Sequence, residues 1–91
     1  MSATSPQAKV TEAQRRALQA AAGGLLRFAA TYLSRAPFEF WISGVVPMSK
    51  GTVRPATVNA LQKRGLLAEH DVSQRDGLLE ITDAGRRALA A

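Results

Sequence analysis

Not one of the 91 residues is a cysteine, and that absence constrains the fold more than any other single feature. A chain of this length buries only about 60–65% of the surface that its unfolded form exposes, and here no disulfide can make up the shortfall. Stability has to come from close packing of apolar side chains or from association of two copies. The same absence excludes cysteine-rich zinc sites and thiol catalysis. The length suits one domain. No stretch approaches the ~20 apolar residues that cross a bilayer, and the start, MSATSPQAKV, has neither a basic n-region nor a long apolar core. A cytoplasmic protein without membrane association is expected.

Glycine and proline then divide the chain into short elements. Residues 1–10 are small and polar with Pro6 and no apolar period, so a flexible tail is expected there, with residues 11–91 forming the single domain. Thr11 offers an N-cap hydroxyl, and Gln14 can close a capping box. The helix that follows carries an apolar stripe of Ala17, Leu18, Ala21 and Ala22 and ends at Gly23-Gly24. In LLRFAATYL periodicity does not separate helix from strand. Phe38, Phe40 and Ile42, alternating with Glu39, Trp41 and Ser43, do read as a strand. A hairpin pairing Leu25–Leu33 with Phe38–Val45, turning over Ser34–Pro37, accounts for both halves.

GVVPMSKG reads as loop, broken by Gly44, Pro47 and Gly51. Pro55 suits the first helical turn and Gly65 the position just past the last. Between them Val58 and Leu61 face the core, while Ala56, Asn59, Ala60 and Lys63 fall on the far side. Leu66–Glu69 is expected as a strand, DVSQRDG as its turn and Leu78–Ile81 as the returning partner. Thr82 caps a last short helix, DAGRRALA, with Leu89 its main apolar contact.

Charge is distributed unevenly. Residues 1–64 carry nine Lys and Arg against Glu12 and Glu39, a balance of 9 − 2 = +7, whereas residues 65–91 carry Arg75, Arg86 and Arg87 against five carboxylates, 3 − 5 = −2. A polyanionic partner is expected to meet the first part of the chain.

The stretch TVRPATVNALQKRGLLAEH, a polar turn, and then LLEITDAGRRAL resemble the second half of a winged helix-turn-helix domain such as those of MarR-like regulators. The landmarks are Thr57-Val58, Leu61, Arg64-Gly65-Leu66-Leu67 and Ile81-Thr82-Asp83-Ala84-Gly85-Arg86, and they span about 40 residues. The resemblance implies a small α+β winged-helix domain: helix, β-hairpin, recognition-type helix, two-stranded wing, short C-terminal helix. It implies a double-stranded DNA binder, a small transcriptional regulator or a phage- or plasmid-type accessory protein, acting as a homodimer because one such helix reads a half-site. Ala56, Asn59 and Lys63 then face the major groove, where Asn59 can pair with an adenine edge for ~1–3 kcal/mol of discrimination. Lys50, Thr52, Arg54, Lys63 and Arg64 hold phosphates, and Gln74 and Arg75 do the reaching at the wing tip. Two departures stand out: the broken GVVPMSKG occupies the place of a full preceding helix, with Arg54 where a serine cap is usual, and Asp71 and Asp76 make the wing acidic.

Catalytic chemistry finds no footing. His70, the only histidine, is expected as an exposed hairpin residue with no nucleophile near it in sequence. Glu69, Asp71 and Asp76 match no oxygen-ligand loop, and Gly23-Gly24 is not a phosphate loop. No enzyme and no cofactor are expected. A different class of function remains open, a winged-helix module for protein–protein contact working through the Trp41 hairpin or the acidic wing. Phe38 and Phe40 facing inward leave Trp41 outward, where an aromatic marks a contact surface. RNA binding is a third reading, which needs stacking aromatics.

Overall fold

The Thr11 hydroxyl accepts a hydrogen bond from the Gln14 N–H at 3.0 Å while the Gln14 side chain accepts one from the Thr11 N–H at 3.1 Å, so the first helix, α1 (Glu12–Ala22), starts at the capping box expected of it. The computed structural model describes residues 10–31, 37–71 and 73–90. Strands β1 (Leu26–Ala30) and β2 (Phe38–Ile42) follow, then a 3-10 turn (Met48–Gly51), a two-residue strand β3 (Thr52–Val53) and helix α2 (Pro55–Lys63). Strand β4 (Asp76–Leu78) and helix α3 (Asp83–Ala90) complete the order. The four strands form one antiparallel sheet in the order β3-β2-β1-β4. The result is a small α+β domain.

Burial follows the alternation of the strands. Leu26 and Phe28 from β1, Phe38, Phe40 and Ile42 from β2, and Val53 from β3 point inward and meet Ala17, Leu18, Ala20 and Ala21 of α1, Val58 and Leu61 of α2, and Leu66, Leu67, Leu79 and Ala88. In α1 the apolar stripe includes Ala20 and leaves Ala22 exposed. In α3 the closest packing comes from Gly85 and Ala88, and Leu89 is only half-buried. Val10, expected in the tail, packs against the edge of the core; residues 1–9 and 32–36, which hold most of the expected Ser34–Pro37 turn, lie outside the described residues.

Within the undecided segment 25–33, Leu26–Ala30 is a strand, paired with β2 from Leu26↔Ile42 to Ala30↔Phe38. The segment expected to be only loop, GVVPMSKG, contains the 3-10 turn. Gly51 is required at its end, because a Cβ there would lie 2.8 Å from the Ile42 carbonyl oxygen.

The two-stranded wing is corrected. Leu66–Glu69 forms no strand; one bridge, Leu67↔Ile81, joins it to the returning segment, helped by a bond from the Ala68 N–H to the Glu80 carbonyl at 2.9 Å. The last two residues of the expected turn, Asp76 and Gly77, together with Leu78, pair instead with β1, Arg27↔Leu78 through Ala29↔Asp76. The reason lies in the free edge of β1, which offers a row of unpaired backbone groups next to the core. Gly77 permits the approach, since its missing Cβ leaves room for the Phe28 ring.

The two sequence landmarks downstream of α2 meet in space. Gly65 takes φ +74°, the left-handed conformation that ends the helix. Its carbonyl accepts the Thr82 hydroxyl at 2.6 Å, the Thr82 oxygen accepts the Gly85 N–H at 3.0 Å, and the Thr82 N–H reaches the Leu66 carbonyl at 3.2 Å. Gly85 lies so close to the Leu66 carbonyl that any side chain would collide with it. The Arg-Gly-Leu step and the Thr-x-x-Gly turn are thus two halves of one joint.

Candidate nucleic-acid interface

Helix α2 owes its position to its apolar side. Val58 and Leu61 are 0% exposed, which forces Ala56, Asn59 and Lys63 outward, and all three are exposed. Nine residues make a helix roughly 13 Å long. Its N-terminus begins at Pro55 after Arg54, which provides no side-chain cap. The partial positive charge at that end is therefore not offset by a capping oxygen.

Basic side chains cluster around this end. Lys50 and Arg54 are exposed. Arg16, on α1, donates to the Lys50 carbonyl and so pins the 3-10 turn against α1. A shallow cleft lined by Ala13, Arg16, Thr52, Val53, Arg54 and Thr57 lies between α1 and the start of α2. Arg16 has no place in the sequence motif; its contribution arises only because α1 packs on α2, and adjacent Arg15 and Arg16 on a helix surface were the one hint. The exposed apolar tip beside them, Val46 at 88% and Met48 at 73% exposure, also escapes a motif reading, because VVPM resembles any loop.

The other expected contacts divide differently. Thr52 is exposed, but it sits in β3 opposite Trp41, so its side chain belongs to the outer face of the sheet. Arg64 is half-buried and donates to Gln14 at 3.1 Å; it ties the end of α2 to the start of α1. Gln74 and Arg75 are exposed in a turn held by Asp71, whose carboxylate accepts the Ser73 hydroxyl at 2.6 Å and the Ser73 N–H at 2.9 Å. Those two bonds, the hydroxyl first, hold the Asp71 carboxyl below its usual pKa. This turn leads into β4, at the opposite edge of the sheet from β3, three strand spacings or roughly 14 Å away. The fold gathers Arg16, Lys50, Arg54, Ala56, Asn59 and Lys63 along α2 and sets Gln74 and Arg75 apart from them.

His70 is not the exposed residue expected. It is half-buried, its ring 4.9 Å from Phe28 and 4.6 Å from Phe38 between centroids, and its Nδ1 lies 3.0 Å from the Gln62 amide nitrogen. Burial lowers its pKa, and the neighbouring Glu69 carboxylate opposes the shift. Trp41 does lie on the outer face, half-buried rather than open. Among the described residues no three His, Asp or Glu side chains converge as metal ligands, and no helix is long and apolar enough to cross a membrane.

Comparison with protein-family models, with curated proteins and with solved structures finds no match.

Proposed function

We propose that this protein binds double-stranded DNA through α2, as a winged-helix-type transcriptional regulator or an accessory DNA-binding protein. The observation that carries the reading is the division of α2: a side sealed into the core at Val58 and Leu61, and an exposed side bearing Ala56, Asn59 and Lys63. Arg16, Lys50 and Arg54 stand at its uncapped N-terminal end. A helix of this width fits the major groove, and its N-terminal half meets the base edges. In this reading the basic end holds phosphates, Asn59 reads a base edge, and the Gln74–Arg75 turn reaches a second stretch of backbone. The joint between Gly65, Leu66, Thr82 and Gly85 supports the winged-helix assignment, because it gives the resembling landmarks a shared structural purpose.

The experiment is binding to random-sequence duplex DNA across a salt series, for the wild type and for Arg54→Glu with Lys63→Glu. Removing two phosphate contacts flattens the slope of log K against log salt by about 2. Binding that is absent at low salt, or a slope the substitutions leave untouched, overturns the proposal. The rival, a protein–protein module without DNA binding, draws on the exposed Val46–Met48 tip and the acidic turn. It gains if the salt series shows no complex.

A further inference from the structure

The helices cover one face of the sheet, and the register fixes what the other face presents. One row across the strands reads Thr52, Trp41, Arg27 and Leu78; the next reads Glu39, Ala29 and Asp76. Thr52, Glu39 and Asp76 are exposed and Leu78 is 47% exposed, with Leu25, 45% exposed, close beside the first row. The first row is cationic and apolar. The second is anionic, with its smallest residue at the centre.

We propose that this outer face is the contact between two copies of the chain, packed sheet to sheet about a two-fold axis. The axis runs across the strands, midway between the two rows. Rows lie about 6.8 Å apart along a strand and neighbouring strands about 4.8 Å apart. The operation therefore lays the first row of one copy over the second row of the other. Arg27 then stands over Ala29 of the other copy, with Glu39 and Asp76 of that copy one strand away on either side. Trp41 then lies over Glu39 and Leu78 over Asp76 of the other copy, and both lose exposure to water. Because the axis is two-fold, both copies make the same contacts, as a closed dimer requires. A single-stranded nucleic acid is the poorer occupant: Trp41 and Arg27 suit it, but Glu39 and Asp76 repel its phosphates. The inference stands apart from DNA binding by α2, which uses other residues.

Sedimentation equilibrium on the full chain from micromolar to millimolar concentration tests it. The wild type associates to a dimer, and Arg27→Glu raises the dissociation constant by more than about tenfold, since like charges then face each other. The triple swap Arg27→Glu, Glu39→Arg, Asp76→Arg restores the dimer. Ala29→Arg fills the gap between Glu39 and Asp76 of its own chain and meets Arg27 of the other copy with like charge, and it gives a monomer whose circular dichroism matches the wild type. A wild type that stays monomeric throughout overturns the proposal, as does a dimer indifferent to Arg27→Glu. A swap variant that is folded but monomeric does the same. Wild-type monomer that binds a single-stranded oligonucleotide, and loses it on Arg27→Glu, assigns the face to nucleic acid instead.

Discussion

His70 fills the open side of the aromatic cluster made by Phe28, Phe38 and Phe40, and its titration is coupled to folding. Burial lowers its pKa from the ordinary 6.5, so the unfolded chain takes up the proton more readily than the native one. Its contribution to stability is fully present above the ordinary value and is lost as pH falls through the lower native value. The melting temperature is expected to fall between about pH 7 and about pH 5, and His70→Leu should flatten that part of the profile; an unchanged profile in the variant would rule out the coupling. Asp71 acts in a separate, more acidic window, because its own carboxyl is held below 3.8. Gly85 gives a second residue-scale test. Gly85→Ala drives a methyl against the Leu66 carbonyl and to 2.6 Å from an Ile81 side-chain carbon. A loss of about 1–3 kcal/mol is expected in urea unfolding; a neutral result would mean that the joint between Leu66 and α3 gives way freely.

At the scale of the element, α2 keeps its core-packing side chains and its exposed ones on opposite sides. Leu61→Ala opens space at a fully buried position and should cost about 2–5 kcal/mol. Asn59→Ala changes an exposed position, should move stability by less than about 0.5 kcal/mol, and in the DNA-binding reading weakens discrimination between duplex sequences. Binding that tracks Leu61 and ignores Asn59 would remove α2 from the interface. The helix ends were legible because caps are local: Thr11 with Gln14, Pro55 at the first turn, and Gly65 at positive φ all lie within a few residues of what they terminate. The wing was misread for the complementary reason. Leu66–Glu69 and Leu78–Ile81 do meet, but only at one bridge; strand choice depends on which edge is free, and β1 takes Leu78 together with Asp76 and Gly77 from the expected turn.

For the whole molecule, the uneven charge of the sequence becomes an arrangement. Arg16, Lys50 and Arg54 come together where α1, the 3-10 turn and the start of α2 meet, while the acidic turn at Asp71 sits on the far edge of the sheet. A salt-dependent complex is therefore expected to be lost through the α2 end, and dimerisation through the outer sheet face to survive Arg54→Glu with Lys63→Glu. If those two substitutions abolish both, the two surfaces are not independent.

By itself the sequence determined the features that depend on near neighbours: where helices begin and end, which side of α2 is apolar, the alternation that turns Phe38, Phe40 and Ile42 inward, and the outward position of Asn59 and Lys63. These follow from backbone chemistry and from periods of 3.6 and 2. Only the tertiary structure decided that Arg16 joins Lys50, that Arg64 is spent on Gln14, that His70 enters the aromatic cluster, and that Arg27 and Trp41 share a row of the sheet two residues from the row of Glu39, Ala29 and Asp76. Such neighbours are brought together by strand order and helix packing, which depend on how the whole chain competes for one small core.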